Sequence, residues 1–206
     1  MSRLAVLTFV TLDGVMQAPG GPEEDPSGGF KHGGWVAGYW DDFLGNVMAE
    51  QMKGPFDLLL GRKTYELFAA FWPHAGADQL GGKELNSARK FVVSKTLKKL
   101  DWANSELVLG DVPNEIRKLK ERDGHELQVH GSGRLIQTLL KNDLIDEFRL
   151  KIFPITLGAG KRLFAKGAMP AGFKLVDCKT STRGVIVSNY KRDGEVKTGS
   201  FAPQQP

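Results

Sequence analysis

Three short stretches combine hydroxyl and cationic side chains, two of them with glycine, in a way that suits a phosphate. Gly131-Ser132-Gly133-Arg134 lies between a strand-like run and the start of an amphipathic helix. Successive backbone N–H groups at a helix start attract an anion, and glycine lets a pyrophosphate approach the backbone closely. The full dinucleotide fingerprint is absent, because Ile136 stands where a third glycine would be. Taken alone, the stretch reads equally well as a tight turn with no ligand. Gly61-Arg62-Lys63-Thr64 places two cations beside a second helix start, although charged loop residues are commonly just solvated. Ser94-Lys95-Thr96 offers a hydroxyl, an ammonium and a second hydroxyl after another strand-like run, or ordinary turn chemistry.

The elements around these turns decide whether they can act together. Residues 4–10, 56–60, 90–94, 106–109 and 126–130 are short apolar runs that read as strands. Helical spacing recurs over 41–52, with Asp41 as a cap, from Tyr65 to Trp72, over 113–122 behind Pro113, and from Leu135 to Leu140. From Glu147 to Ile155 the pattern alternates, with Phe148, Leu150 and Ile152 opposite Arg149 and Lys151, which predicts a strand with one polar face. Strands over 173–178 and 184–191 form a hairpin across the polar run Lys179 to Arg183. Alternating strands and helices predict an α/β fold with a mostly parallel central sheet flanked by helices, and the hairpin adds antiparallel strands at one edge. Ligands of such sheets sit beyond the carboxyl ends of the strands. All three turns fall at that end, so together they fit a phosphorylated dinucleotide.

Composition narrows the field. A net charge of +4 favours an anionic small molecule, and no dense cationic cluster interleaved with aromatics points to nucleic acid. The single cysteine, Cys178, cannot form an internal disulfide; it is expected to pack in a strand of a protein from a reducing compartment. Arg3 and the apolar run behind it imitate a secretory leader, but Asp13-Gly14 ends the run without a cleavage pattern. No stretch approaches the roughly 20 apolar residues of a membrane span. The expectation is a cytoplasmic protein without membrane partners, one domain over 1–194 and a flexible tail over 195–206. The Gly- and Pro-rich stretch 18–38 is a loop of a length that usually carries function. His32, His74, His125 and His130 show no metal-ligand spacing, so no metal is expected. Trp35, Tyr39, Trp40 and Trp72 are assigned to core packing, with a pocket wall as the alternative. Gly158-Ala159-Gly160-Lys161 lacks Walker spacing and is read as a turn.

The order of the motifs resembles the dihydrofolate-reductase-like superfamily. Gly61-Arg62-Lys63-Thr64-Tyr65-Glu66 is similar to the helix start of folate reductases, and Phe91-Val92-Val93-Ser94-Lys95 to their next strand and cofactor turn. Val129-His130-Gly131-Ser132-Gly133-Arg134-Leu135 resembles their glycine pair and pyrophosphate helix, here interrupted by Ser132. Thr11-Leu12-Asp13-Gly14 and the segment Asp146 to Phe164 are more similar to the sister family, the reductase domain of riboflavin biosynthesis that forms the C-terminal part of bifunctional deaminase-reductases. The likeness covers about residues 3–192.

This resemblance implies NADPH as cofactor and a small pyrimidine- or pteridine-like substrate. By position Arg62 and Lys63 with Ser94 and Lys95 would hold the adenosine 2′-phosphate, Gly131 to Leu135 the pyrophosphate, and Val10 and Thr11 would edge the nicotinamide; Gly61 and Thr64 complete the first turn. One hydrogen bond from Arg62 to the phosphate, about 1.5–3 kcal/mol, implies a tenfold to hundredfold preference for NADPH. Folate reductases carry their proton-donating carboxylate on the helix after the first loop, where this chain offers Asp41 and Asp42, both also readable as caps. Asp13, from the loop of the sister family, is the other candidate, or a turn residue beside Gly14. Ile136, where folate reductases usually carry Tyr, argues against folate. One cysteine cannot supply the zinc site of a deaminase half. The alternatives are a dihydrofolate reductase proper and a nucleotide-binding protein without turnover. The family usually pairs, which implies a homodimer, with the segment 147–155 near the symmetric contact.

Overall fold

The computed structural model describes residues 1–76 and 79–201. Strands β1 (Leu4–Thr11), β2 (Phe56–Gly61), β3 (Lys90–Val93), β4 (Ser105–Val108), β5 (Glu126–His130), β6 (Glu147–Phe153), β7 (Phe173–Thr180) and β8 (Ile186–Arg192) join in one sheet. Its order is β4-β3-β2-β5-β1-β6-β8-β7. The pairs from β4 to β6 are parallel, and β8 and β7 run antiparallel at one edge. Helices α1 (Asp42–Gln51), α2 (Arg62–Phe71), α3 (Gly82–Ser87), α4 (Val112–Glu121) and α5 (Gly133–Lys141) cover the two faces. The chain therefore has the α/β architecture its alternating pattern predicts; α3, six residues long, has no counterpart in that pattern.

β1 runs through the centre because nearly all its side chains can be covered on both faces. Leu4, Ala5 and Val6 are fully buried, and each fully buried Leu or Val contributes about 1.5–3 kcal/mol. On one side Leu4, Val6, Leu127, Val129, Phe148 and Leu150 pack against α4 and α5. The other side meets α1, α2 and α3 through two clusters, one around Leu58, Leu60 and Tyr65, the other around Leu44, Phe153 and Val187.

Two expectations need correction, those for Cys178 and for the loop 18–38. β6 has the one polar face its alternation predicts, with Glu147, Arg149 and Lys151 on it, but the strand lies between β1 and β8 and Lys151 is fully buried. Neighbouring strands on both sides and α1 above leave the alternation nowhere to meet water. Cys178 is exposed, since it sits on the edge strand β7. The loop 18–38 contains two short 3-10 turns, Ser27–Gly29 and Ala37–Tyr39. Residues 195–201 lie outside helices and strands, while 202–206 of the expected tail, like Ala77 and Asp78, are outside the described residues.

Candidate active site

Sheet register brings the three turns to one rim. Gly61 of β2 stands beside Val93 of β3, so Arg62 and Ser94 leave the sheet together. Leu58 pairs with Gln128, which carries Gly61 level with Gly131. Two hydrogen bonds then lace the turns: Gly61 N donates to Ser132 Oγ (2.9 Å), and Ser132 N donates to Thr64 Oγ1 (2.9 Å). Gly131 and Ser132 both have φ of 54°, a left-handed pair that tightens the exit from β5. Glycine is needed at 131, where a Cβ would lie 3.2 Å from Thr64 Oγ1 in an already strained backbone.

Capping separates these helices from α1 and α4. Asp41 accepts from Leu44 N at the start of α1, and Asp111 from Asn114 N at the start of α4. Neither α2, entered from Gly61, nor α5, entered from Ser132, has a side-chain cap. The Ser132 hydroxyl already accepts from Gly61 and does not turn to its own helix. First-turn N–H groups need partners from outside the helix, and those of α2 and α5 open on the same cavity. The macrodipole adds partial positive charge at both points.

That cavity measures about 1560 Å³, above the ~300–1,000 Å³ of a site for one small ligand. Its wall includes Gly61 to Thr64, Ser94 to Thr96 and Gly131 to Leu135. Arg62 braces two turns, donating from Nε to Glu66 Oε1 (2.8 Å) and from a terminal nitrogen to Thr96 Oγ1 (2.6 Å). Ser94 Oγ accepts from the N–H groups of Thr96 and Leu97, which fixes the third turn. Lys63 lies 3.5 Å from Asp25 of the long loop, and Asp25 also pairs with Lys161. Burial opposes ionisation of Asp25, but its bonds to Lys161 and Ser27 and the charges of Lys161 and Lys63 outweigh it and hold the carboxyl down to about 2.

The RibD C-terminal domain family model matches residues 3–187 on this framework. The chain belongs to that family. The Bacillus subtilis (strain 168) protein YyaP, itself uncharacterized, is 31% identical over 201 residues, spanning 93% of this chain and 96% of YyaP. Among solved structures, a candidate riboflavin biosynthesis protein from Shewanella sp. PV-4 superposes with a TM-score of 0.67 at 24% identity, covering 93% of this chain and 99% of the other. A diaminohydroxyphosphoribosylaminopyrimidine deaminase/5-amino-6-(5-phosphoribosylamino)uracil reductase from Thermotoga maritima gives 0.58 at 18% identity, over 93% of this chain and 57% of that protein. At these identities the two structures speak for the fold.

Within this RibD C-terminal domain the remaining sequence candidates separate. Val10 and Thr11 are buried and do not form the cavity wall, which Leu7, Thr8 and Phe9 of the same strand supply. Asp13 also stands off the cavity: its carboxylate accepts from Thr11 Oγ1 (2.5 Å), Leu157 N (3.2 Å) and Gly158 N (2.9 Å) and faces Arg162. Asp42 is exposed in the first turn of α1 and does not line the cavity, and Asp41 is the cap. Trp40 and Trp72 are in the wall, whereas Trp35 and Tyr39 set their rings edge-on to Phe153. His130 is buried and bonded to Gln128; burial, with the charges of Lys151 and Arg149, pushes it down to about 3, so it stays neutral.

Sequence reasoning missed Lys151, Lys161 and Asp25, all in the cavity wall. The signal for Lys151 was present: a lysine in an interior strand of a mostly parallel sheet must be buried or bent away, because such sheets are covered on both faces.

Proposed function

We propose that the chain is an NADPH-dependent reductase that delivers hydride to a pyrimidine- or pteridine-like acceptor, in the manner of the riboflavin-pathway reductases. The observation that carries this reading is the meeting of two uncapped helix N-termini and the cationic side chains of Arg62, Lys63 and Lys95 at one large cavity. Such a donor set fits a ligand with several phosphates, and the volume leaves room for a second molecule beside it. Gly131 to Leu135 would hold the pyrophosphate, and Arg62, Lys63, Ser94 and Lys95 the 2′-phosphate.

When bound, NADPH supplies the hydride. The protein's own contribution is to orient the acceptor over Leu7, Thr8 and Phe9, and to exclude water with the loop that carries Met16 to Gly20 and Trp40. With Asp13 engaged on backbone N–H groups and Asp42 in solvent, neither is placed to hand a proton to a molecule in the cavity.

Calorimetric titration with NADPH and NADH tests the placement. The expected preference for NADPH is about tenfold to hundredfold, and Arg62→Gln should remove most of it. Equal affinity for both nucleotides, or a preference untouched by Arg62→Gln, overturns the assignment. Tight NADPH binding without turnover on any pyrimidine or pteridine acceptor would instead make the chain a nucleotide-binding protein. The same reading carries pairing of two copies, for which the edge strand β7, with Leu175 and Val176 exposed, offers one surface; analytical ultracentrifugation checks the pairing.

A further inference from the structure

Lys151 rises from the middle of β6 on the α1 side of the sheet, within the cavity wall and only 1% exposed. Lys90 is as deeply buried and shows what a structural lysine needs. Its ammonium donates to the carbonyls of Asn86 (2.8 Å) and Ala103 (3.1 Å) and lies 4.1 Å from the Trp102 ring centre. Among the described residues Lys151 has one acceptor, the side-chain oxygen of Gln51, and no carboxylate pairs with it. The Phe9 ring centre is 5.7 Å away.

An ammonium has three donors, and a buried cation without a counter-charge is costly. The surrounding elements supply none. On β6 the nearest charge is Arg149, another cation, itself held by Glu126 and Glu147. From β5 comes His130, neutral and bonded to Gln128. α1 contributes the uncharged Gln51, β1 contributes Phe9, and β8 places Val187 opposite. Among the described residues, the side of Lys151 left open is the one toward the cavity.

We propose that Lys151 is the residue that recognises the acceptor molecule, by donating to a negatively charged oxygen on it. The proposal rests on the reductase reading only for what the occupant is. Gln51 is a neutral acceptor, and an anionic oxygen makes the stronger, charge-assisted bond, so the ammonium exchanges one for the other with a small side-chain shift. The site then favours oxo-heterocycles or other acceptors with an ionised oxygen, and disfavours aminopyrimidines that present N–H donors.

Burial and the Arg149 charge push the Lys151 amine down to about 7. Below that pH the ammonium is already formed; above it, each binding event must create one. Affinity for an anion is therefore flat in mild acid and falls about tenfold per pH unit once the free amine is neutral.

The probes are barbiturate, an anionic pyrimidine across the neutral range, and 2,4-diaminopyrimidine, the same ring with donors in place of oxygens. Calorimetry on the full chain, with and without NADP, should show barbiturate preferred. Above neutrality, runs in buffers of different ionisation heat should read an uptake approaching one proton. Lys151→Met removes the charge but keeps the length and apolar stem, so the fold should survive, as a thermal melt checks; barbiturate affinity should drop about tenfold or more. Gln51→Glu is the second variant: a fixed carboxylate keeps the amine charged, which should abolish the proton uptake and weaken barbiturate. No barbiturate binding to the wild type, equal affinity in Lys151→Met, or a preference for diaminopyrimidine each overturns the proposal. Failure of NADPH to bind, with barbiturate behaviour intact, would remove the reductase reading and leave Lys151 standing.

Discussion

Asp13 gathers a hydroxyl, two backbone N–H groups and a guanidinium around one carboxylate. The Thr11 hydroxyl does most to hold its pKa below the usual carboxylate range; burial opposes, and the N–H groups of Leu157 and Gly158 and the charge of Arg162 add to the lowering. A carboxyl held ionised in this way ties the turn after β1 to the segment after β6. Asp13→Asn should lower stability by about 1–3 kcal/mol at neutral pH. The sign with pH follows from the lowered value: the contribution is complete above the unfolded carboxyl's 3.8 and is lost as pH falls through the folded value. Melts of wild type and variant across an acid series should therefore converge; a constant gap would mean the ionised form is not what matters.

The long loop between β1 and α1 illustrates what sequence pattern conveys at the level of elements and what it does not. Strands and helices with a clear apolar period stand close to where residue spacing puts them: residues 126–130 are β5, and Asp41 does cap α1. The turns Gly61 to Thr64 and Gly131 to Arg134 were legible because strand, glycine and helix follow each other locally. The docking of the loop was not, since it depends on pairs distant in sequence, such as Asp25 with Lys161 and Lys63. The burial of Lys151 was not legible for a related reason: alternation reports two faces, not whether the second one meets water. Within the loop, Gly33 presses against the backbone of Gly21 and Pro22, where an added Cβ would sit 2.6–2.8 Å from backbone atoms. Backbone on both sides cannot yield cheaply, so Gly33→Ala should prise the loop open. Limited proteolysis between residues 18 and 38 is expected to accelerate several-fold while the global melt moves little, as suits a segment opening independently of the sheet. Equal cleavage rates would show that the loop does not depend on this contact.

Across the whole molecule the two faces of the sheet are built differently. The side under α4 and α5 is an apolar core. On the α1 side, a polar row crosses β5 and β6: Glu126 and Glu147 at one end, Arg149 between them, then Gln128, His130 and Lys151 toward the cavity. Arg149 donates to both Glu126 oxygens (2.9 and 2.6 Å) and to Glu147 (2.7 Å). Its charge is also one of the causes that keep Lys151 near neutrality. Removing it thus acts at both ends of the row. Arg149→Met leaves two largely buried carboxylates facing each other, with only the more distant Arg3 (3.8 and 3.9 Å) to compensate. Breaking a buried ion pair from one side costs about 3–5 kcal/mol, and Arg3 should bring the loss to the lower part of that range. A thermal melt of the variant at neutral pH checks this loss. At the cavity end the Lys151 amine, relieved of a neighbouring cation, should titrate at higher pH, moving the onset of the barbiturate pH dependence upward. A melt deficit accompanied by an unmoved onset would show that the row is merely a set of separate contacts rather than one electrostatic unit reaching from the sheet's far end to the ligand.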